Sequence, residues 1–286
     1  MLTIETDNNN TKVIFAPKSS PTGPSSRLYL WKQRTFYLGP LMEPIRFSQG
    51  AASFAVSLGG EIHFSGKNIS NKTTCKSMLI PPGTELECDT GNEPVAICML
   101  DALRCDYRSL LSRTRQQVNS VAFDIENEDK YIENFTRHYY DEKPASEIFT
   151  CLETLVGSCQ HDNNAYPIDS RIAKVIELIQ ANISDNLSIN TLAECVELSV
   201  PRLVQLFRMQ TGVPIRRYRL WHRLYQSVSE LPLNRNITNS ALGAGFSDAS
   251  HFNRTFKSMF GMTPTHLLMQ PNGLVIYTDV MKRSCS

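Results

Sequence analysis

Residues 245–264 read GFSDASHFNRTFKSMFGMTP, and this stretch decides the fold of the C-terminal half of the chain. Phe252 and Phe256 recur at helical spacing, which predicts a helix with one apolar side. Asp248 precedes this helix at a position where its carboxylate can accept from free N–H groups of the first turn. Gly261 follows, where a left-handed residue commonly ends a helix. The stretch therefore predicts a capped amphipathic helix that ends in a turn.

An earlier segment repeats this pattern at an offset of 49 residues. The matching pairs are Leu203 with Phe252, Phe207 with Phe256, and Gly212 with Gly261. Ser199 takes the capping position of the first copy, and a proline, Pro214 or Pro264, follows the glycine in each copy. A shorter helix is predicted before each longer one, at residues 189–196 and 237–244. A short helix, a tight turn and a longer helix make a helix-turn-helix unit, so two units are predicted.

The polar side of each longer helix is expected to face DNA. Small residues let a helix enter a major groove, while amide, hydroxyl and guanidinium groups reach base edges and phosphates. The predicted contacts on the first helix are Pro201, Arg202, Val204, Gln205 and Arg208. Those on the second helix are Ala249, Ser250, His251, Asn253, Arg254 and Lys257. A single charged residue of this kind more often only faces solvent on a helix surface. The presence of the same polar face in both copies favours DNA contact.

One helix at residues 215–231 is predicted between the two units, and it is about 25 Å long at about 1.5 Å per residue. Such a helix can hold the units about one DNA turn, near 34 Å, apart. One chain would then enter two adjacent major grooves of double-stranded DNA. The helix carries Arg216, Arg217, Arg219 and Arg223. Two interpretations stay open for the first three, namely phosphate contact or a solvated helix surface.

The quoted stretch closely resembles the signature of the AraC/XylS family. The first unit matches as well, from Leu192 and Ala193 through Thr211 to Tyr218. The resemblance implies a bacterial transcription regulator, most simply an activator, that binds DNA with both polar faces and works with RNA polymerase. It also implies that the N-terminal half is a cupin-like β-barrel that senses a small-molecule effector and supports homodimerisation.

The sequence departs from the family pattern at four positions. Gln205 stands where the family usually has arginine, which predicts a weaker contact at that position. Ser240 stands where an isoleucine or valine usually packs, and Pro214 comes one residue early. Gly243 lies inside a predicted helix, where glycine costs about 1 kcal/mol relative to alanine. These departures bear on the stability and affinity of the DNA-binding part, while its class stays the same.

The chain is predicted to be an α+β protein of two domains. Short β-rich runs at 27–102, broken by glycine and proline pairs, predict a small barrel or sandwich. The family resemblance implies that residues 1–160 are a cupin-like β-barrel with accessory helices. Polar residues 1–26 are expected to form a loose arm. A linker at 161–168 leads to an all-α DNA-binding domain at 169–271, with units at about 188–211 and 237–261 on either side of the linker helix. Residues 272–286 are expected to be a tail.

Two sets of residues in the N-terminal half are candidates for binding. A ligand pocket is predicted from Trp31, Phe36, Arg46, Phe54, His63 and Phe64, although core packing is the more common role of such residues. A helical stripe either forms a dimer seam or packs on the barrel, and the sequence leaves this open; it comprises Tyr131, Phe135, Tyr139, Leu152 and Leu155.

Composition excludes several other classes. Hydrophobic residues make up 41% and charged residues 20%, no apolar run is long enough to span a membrane, and the start resembles no secretion leader, so a cytoplasmic protein is expected. His63 is the only histidine in residues 1–137, which argues against a metal site. The eight cysteines show no metal or redox spacing and are expected to be reduced and buried.

Charge is divided between the two halves of the chain. Residues 1–168 carry a net charge of −4, and residues 169–271 carry +4, which favours a polyanionic partner for the second half. Three functions compete: a regulator gated by a small molecule, a regulator controlled by a protein partner, and a barrel enzyme fused to a DNA module. The third finds no support, since no catalytic constellation is evident, and no enzyme activity or cofactor is expected.

Overall fold

The computed structural model describes residues 2–6, 10–17, 20–31, 34–67, 69–101, 104–157, 168–185, 187–234 and 236–279. The strands are β1 (Leu2–Thr6), β2 (Asn10–Phe15), β3 (Ser26–Trp31), β4 (Arg34–Pro40), β5 (Ile45–Ser48), β6 (Ala52–Ser57), β7 (Ile62–Gly66), β8 (Ile69–Cys75), β9 (Ser77–Ile80), β10 (Glu85–Asp89), β11 (Pro94–Leu100), β12 (Thr114–Val118), β13 (Val121–Ile125) and β14 (Leu274–Asp279). The helices are α1 (Asp106–Leu111), α2 (Glu128–Tyr140), α3 (Ala145–Leu155), α4 (Ser170–Ala181), α5 (Ile189–Glu194), α6 (Val200–Thr211), α7 (Ile215–Ser229), α8 (Leu231–Asn234), α9 (Ile237–Gly243), α10 (Ala249–Phe260) and α11 (Pro264–Leu268).

The strands form two sheets. The larger sheet has the order β1-β2-β14-β3-β4-β11-β6-β9-β13-β12, and the smaller has the order β5-β10-β7-β8. The N-terminal domain is sheet-rich, as predicted, but the described strands pair as two separate sheets and show no closed form of the predicted cupin-like β-barrel. Alternate apolar side chains of β7 and β10 point to the core, because successive residues of a strand face opposite sides.

The first part of the chain is more regular than its polar composition suggested. Residues 1–26 were expected to form a loose arm, and this expectation is wrong for the described residues, because Leu2–Thr6 and Asn10–Phe15 pair as an antiparallel hairpin. Val13 is fully buried. A strand from the C-terminal part of the chain stabilises the hairpin, because β2 pairs on its other side with β14.

The end of the chain returns to the N-terminal sheet. Leu274–Asp279 pairs antiparallel with β2 and parallel with β3, so the strand that follows the DNA-binding half lies inside the larger sheet. Leu274 and Ile276 are fully buried, and the ring of Tyr277 stacks on that of Tyr29 at 4.7 Å. The predicted tail at 272–286 is therefore a sheet strand over most of its described part. Residues 280–286 lie outside the described residues.

Helices α2 and α3 cover one face of the larger sheet. The side chains of the predicted dimer stripe are all buried within the chain, at 0–6% exposure, and they are Tyr131, Phe135, Tyr139, Leu152 and Leu155. Phe135 lies 5.3 Å from Phe36, ring centre to ring centre, and Tyr131 lies 5.3 Å from Phe54. Packing on the sheet is thus the alternative that the structure adopts, and these side chains are not available for a dimer seam.

The remaining hydrophobic side chains form two further cores. One core joins the other face of the N-terminal sheets to α10 and the C-terminal part of α7, and it includes Ile45, Phe47, Trp221, Phe252 and Phe256. The other core belongs to α4, α5, α6 and the start of α7 alone. The second helix-turn-helix unit therefore shares its core with the N-terminal domain, while the first unit has a core of its own.

Three further features of the described residues concern membrane spans, metal-ligating groups and cysteines. None of the described helices is both long enough and apolar enough to cross a bilayer. No described group of three or more His, Cys, Asp or Glu side chains is arranged to hold a metal ion. Cys75, Cys88 and Cys98 are buried free thiols, and burial raises the pKa of each. The expectation of reduced, buried thiols fails at Cys105, which is disulfide-bonded, and Cys195 is exposed.

Candidate nucleic-acid interface

The first helix-turn-helix unit consists of α5 and α6. Ser188 caps α5 by accepting a hydrogen bond from the Thr191 amide at 3.0 Å. Helix α6 buries its apolar stripe, which is Leu203, Leu206 and Phe207, at 0–3% exposure. The opposite side is open to solvent, and the exposed residues there are Pro201, Arg202, Val204, Gln205 and Arg208. The Arg202 guanidinium donates to the Gln205 side-chain oxygen at 3.1 Å, so these two groups are held together on the exposed face.

The second unit consists of α9 and α10. Phe252, Phe256 and Met259 are buried at 1–3% exposure, whereas Ser250, Asn253, Arg254 and Lys257 are exposed, and Ala249 and His251 are half-buried. Asp248 caps α10 by accepting from the His251 amide at 2.7 Å. That hydrogen bond lowers the pKa of the Asp248 carboxyl, so the cap stays charged at neutral pH. Burial of Ser250 and Arg254 would have excluded DNA contact, and both side chains are accessible.

A glycine ends each of the two longer helices in the left-handed region. The φ angles of Gly212 and Gly261 are +78° and +76°, values that other residues adopt only with strain. Both turns also lie against the N-terminal domain. A Cβ at Gly261 would approach that of Ile45 to 2.6 Å, and one at Gly212 would lie 3.3 Å from Pro82 Cγ. The duplicated glycines therefore mark the points where each unit meets the sheets.

Two of the four departures from the family pattern, Ser240 and Gly243, have local explanations. Ser240 is fully buried, and its hydroxyl donates to the Asn236 carbonyl at 3.1 Å while accepting from Asn234 at 3.2 Å. A buried polar group with both partners costs little, so serine is tolerated there. Gly243 is the last residue of α9, where helix propensity matters less than in the interior. The predicted cap of α6 is not made, because the Ser199 side chain forms no capping hydrogen bond.

Three arginines of α7 donate hydrogen bonds to backbone carbonyls of neighbouring segments, whereas Arg216 is exposed. Arg219 donates to the Leu187 carbonyl at 2.6 Å, and Arg223 donates to the Ile183 carbonyl at 3.1 Å. Arg217 donates to the Ser48 carbonyl, which lies at the end of β5 in the N-terminal domain. Burial lowers the pKa of Arg217, Arg219 and Arg223. These three side chains therefore tie α7 to its neighbours.

The structure does not bring the predicted ligand residues together. Phe36, Phe54 and Phe64 lie at 0–1% exposure in cores on both faces of the sheets. Arg46 is exposed and pairs with Glu85 at 2.7 Å, and His63 Nδ1 lies 3.0 Å from the Thr74 hydroxyl. Trp31 alone among the six lines a large cavity. Periodicity and composition could not distinguish these roles, since a buried aromatic and a pocket aromatic look alike in a strand.

A cleft of about 780 Å³ lies between the N-terminal domain and the first helix-turn-helix unit. Its N-terminal wall comes from the ends of β3, β4 and β11, the turn at 50–52, Pro81 and Pro82, and α1. Its other wall comes from α4, the end of α6 and one side of α7. Such a volume is typical of sites for small organic ligands. Sequence reasoning missed this cleft, because it forms only where two domains meet.

The N-terminal wall of the cleft holds a buried ion-pair network. Arg34 pairs with Asp106 at 2.6 Å and also with Glu153, and both Arg34 and Asp106 have fully buried side chains. Arg104 lies 3.2 Å from Asp106 and 3.1 Å from Glu153. Buried charges are tolerated only when they are paired and hydrogen-bonded, and this requirement is met here. The network joins β4 to α1 and α3, and β4 and α1 contribute residues to the lining of the cleft.

The helical wall of the cleft is aromatic and neutral. The Tyr218 hydroxyl accepts from Gln180 at 3.2 Å, and the rings of Tyr218 and His222 lie 4.5 Å apart. Burial lowers the pKa of His222 to about 4, so the imidazole is neutral near pH 7. Trp221 packs beside them, and a Cβ at Gly50 would approach its Cβ to 2.8 Å. Only glycine at position 50 lets α7 lie this close to the sheet.

Comparison with known proteins identifies a helix-turn-helix domain in the helical half of the chain. Residues 192–270 match the family described as a helix-turn-helix domain. The chain is 33% identical over 101 residues to the arabinose operon regulatory protein of Escherichia coli, covering 35% of each. It is 26% identical over 156 residues to the HTH-type transcriptional activator RhaR of Mannheimia succiniciproducens, covering 53% of this chain and 54% of the relative. Residues 192–270 are therefore similar to the helix-turn-helix domain of AraC-type transcription regulators.

The chain matches about a third to a half of the length of these curated relatives. A comparison of folds reaches further along the chain. A crystal structure of ToxT from Vibrio cholerae superimposes with a TM-score of 0.52 at 16% sequence identity, covering 82% of this chain and 97% of ToxT. At this identity the likeness concerns the fold alone, a sheet-rich N-terminal domain followed by a helical domain with two helix-turn-helix units.

Proposed function

We propose that this protein is a transcription regulator, most simply an activator, that binds double-stranded DNA with α6 and α10 in two adjacent major grooves. The observation that carries the proposal is the duplicated geometry. In each unit the longer helix buries its apolar stripe and exposes a compact polar face, and both helices end in a left-handed glycine. The net charge of +4 on residues 169–271 supports a polyanionic partner.

The eleven sequence-predicted contact residues divide by chemistry. Arg208, Arg254 and Lys257 supply positive charge that suits phosphate oxygens or guanine edges. Gln205, Ser250 and Asn253 supply polar groups that suit base edges, because an amide can bond adenine through two atoms at once. The small or apolar residues, such as Ala249 and Val204, leave room for the helix to approach the base pairs. RNA polymerase is the partner through which an activator of this class would act.

Control by the N-terminal domain is the second part of the proposal. The relatives named as an activator and an operon regulatory protein are regulators, and the shared core between α10 and the N-terminal sheets supports a signal passing between the domains. A small-molecule effector is favoured over dimerisation as the signal, since the predicted dimer stripe is buried and the interdomain cleft is large. Control by a protein partner on the acidic N-terminal half is the alternative.

Sequence selection with the purified full-length chain tests the DNA-binding function. Randomised DNA duplexes are bound, recovered and sequenced, and affinity for the enriched sequence is measured by fluorescence anisotropy at several salt concentrations. A defined motif with a steep fall of affinity as salt rises is the expected result, because bound phosphates release counterions. Failure to enrich any motif would refute the proposal. A thermal-shift screen of the same chain against metabolites then distinguishes a small effector from a protein partner.

A further inference from the structure

The lining of the interdomain cleft is largely aromatic and aliphatic, and this limits the class of ligand that it suits. Its aromatic lining comes from both walls: Trp31 and Tyr107 from the N-terminal domain, and Tyr218, Trp221 and Tyr225 from α7. Aliphatic side chains fill most of the remaining surface, among them those on the turn at 50–52 and at the end of β11. Aromatic walls favour a flat ring, since ring faces and edges stack at centre distances of about 4.5–7 Å.

The charges around the cleft cancel among the residues that the structure describes. Two lining cations, Arg34 and Arg104, are neutralised by the carboxylates of Asp106 and Glu153. The other two charged lining residues, Asp101 and Arg108, are of opposite sign. A ligand with a net charge would lose its hydration on entering without gaining a matched counterion, which is costly in a site of this kind. The described lining therefore suits an uncharged molecule.

The cleft also lies where occupancy can change the relation between the two DNA-binding units. The second unit is fixed to the sheets through a shared core, whereas the first unit has a separate core. Near its C-terminal glycine the first unit lies against the turn at Pro82 and Gly83, where a Cβ built at Gly83 would lie 3.6 Å from Val213 Cγ1. A ligand between the sheets and the end of α6 would add contacts at this joint, and so fix one recognition helix relative to the other.

We propose that this cleft binds a neutral, ring-containing small molecule and that its binding sets the orientation of the first helix-turn-helix unit relative to the second. This proposal rests on the DNA-binding function proposed above. It places the effector outside the cores that hold Phe36, Phe54 and Phe64, and between the two domains. A ligand at this joint acts on the spacing of α6 and α10, on which engagement of two successive grooves depends.

Two matched probes test the proposal in the full-length chain. N-phenyl-1-naphthylamine is neutral, and 1-anilinonaphthalene-8-sulfonate has the same rings with an added sulfonate. The chain contains two tryptophans, Trp31 and Trp221, and both line the cleft, so energy transfer from tryptophan reports occupancy directly. We expect saturable tryptophan quenching by the neutral probe and about tenfold weaker binding of the sulfonate, which equals about 1.4 kcal/mol.

Two variants in which phenylalanine replaces an alanine locate the site. Ala51 lines the cleft, and Ala51→Phe fills part of it, whereas Ala16 is exposed outside the cleft, and Ala16→Phe is the control. Ala51→Phe should weaken the neutral probe by about tenfold, equal to about 1.4 kcal/mol, and Ala16→Phe should leave its affinity unchanged. Circular dichroism checks that both variants are folded. Equal binding by both variants would refute the site, and equal affinity for the two probes would refute the neutral class.

DNA affinity in the presence of saturating neutral probe tests the coupling. We expect the affinity for the enriched duplex to change by several-fold in the wild-type chain and to stay constant in Ala51→Phe. Probe binding without any change of DNA affinity would overturn the regulatory role. If no DNA motif is enriched, the proposed function and the coupling both fail, while the binding site is still judged by the probe titrations alone.

Discussion

Individual side chains of α6 and α10 divide cleanly between the inside and the outside of the protein. The apolar residues that repeat at an offset of 49 are buried, and the arginine and amide residues between them are exposed. This division was predictable from the sequence, because helical periodicity alone assigns each residue to a face. The roles of Arg217, Arg219 and Arg223 were not predictable, since their carbonyl partners are distant in sequence or in another domain.

Arg254 provides a direct test at the residue scale. Arg254→Ala removes an exposed guanidinium from the predicted DNA face, and it should weaken binding to the enriched duplex by about 1–3 kcal/mol and relax base preference at one position. Anisotropy against a panel of single-base variants of the duplex measures both effects. Lys130→Ala is the control, because it removes one exposed positive charge from α2 in the N-terminal domain. Equal losses in the two variants would show that only net charge matters.

His222 predicts a dependence of stability on pH. Burial lowers its pKa in the folded protein to about 4, from about 6.5 in an unfolded chain. The folded state therefore binds fewer protons between these values, so stability is full above about pH 6.5 and declines as pH falls towards 4. At about 1.4 kcal/mol per pKa unit, the loss amounts to at most about 3.5 kcal/mol.

Urea unfolding of wild type and His222→Gln across this pH range measures the effect. The glutamine variant should show a shallower decline, because it lacks the depressed imidazole but retains every other titrating group, including His138, whose pKa burial also lowers. Parallel declines in the two proteins would assign the acid sensitivity to other groups.

At the scale of elements, the pairing of β14 with the N-terminal sheet is the main feature that the sequence did not predict. Its short apolar run follows the DNA-binding half, and no local pattern indicates that it pairs with strands near the other end of the chain. Sheet partners are set by tertiary contacts, whereas the helix-turn-helix units are set largely by local periodicity and capping. The same reason explains why the hairpin β1–β2 was missed and why a closed barrel was expected.

Ile276 tests whether β14 is an integral strand of the N-terminal sheet. Ile276 is fully buried between β2 and β3, so Ile276→Ala should lower the free energy of unfolding by about 2–5 kcal/mol. Ile4 on the edge strand β1 is half-buried, and Ile4→Ala should cost clearly less. Denaturant unfolding of both variants measures the difference. A smaller loss for Ile276→Ala than for Ile4→Ala would contradict the place of β14 in the sheet.

Helix α7 is the element that joins both units to the N-terminal domain. Arg217→Met removes the guanidinium that donates to the Ser48 carbonyl, and it should speed hydrogen exchange in β5 and α7. The loss of one charge-assisted hydrogen bond is expected to cost about 1.5–3 kcal/mol. Arg216→Met is the matched control, because Arg216 is adjacent to Arg217 and its side chain is exposed. Unchanged exchange in Arg217→Met would show that this contact does not hold the domains together.

For the whole molecule, the arrangement of cores defines two bodies that meet at a cleft. The N-terminal sheets, α10 and the second half of α7 form one, and α4, α5 and α6 with the start of α7 form the other. Helix α7 has 15 residues, about 22 Å at about 1.5 Å per residue, and it runs through both. The separation of the recognition helices is therefore set by one helix and adjusted by the interdomain joint.

The most direct test of the account uses the enriched DNA duplex itself. Its two half-sites should be centred about 10 base pairs apart, since α6 and α10 are proposed to enter successive major grooves on one side of the duplex. Insertion of about 5 base pairs between the half-sites rotates them to opposite sides, so binding of the full-length chain should fall to the affinity for unrelated DNA. Unchanged affinity after the insertion would contradict the account, because one unit alone would then be reading the sequence.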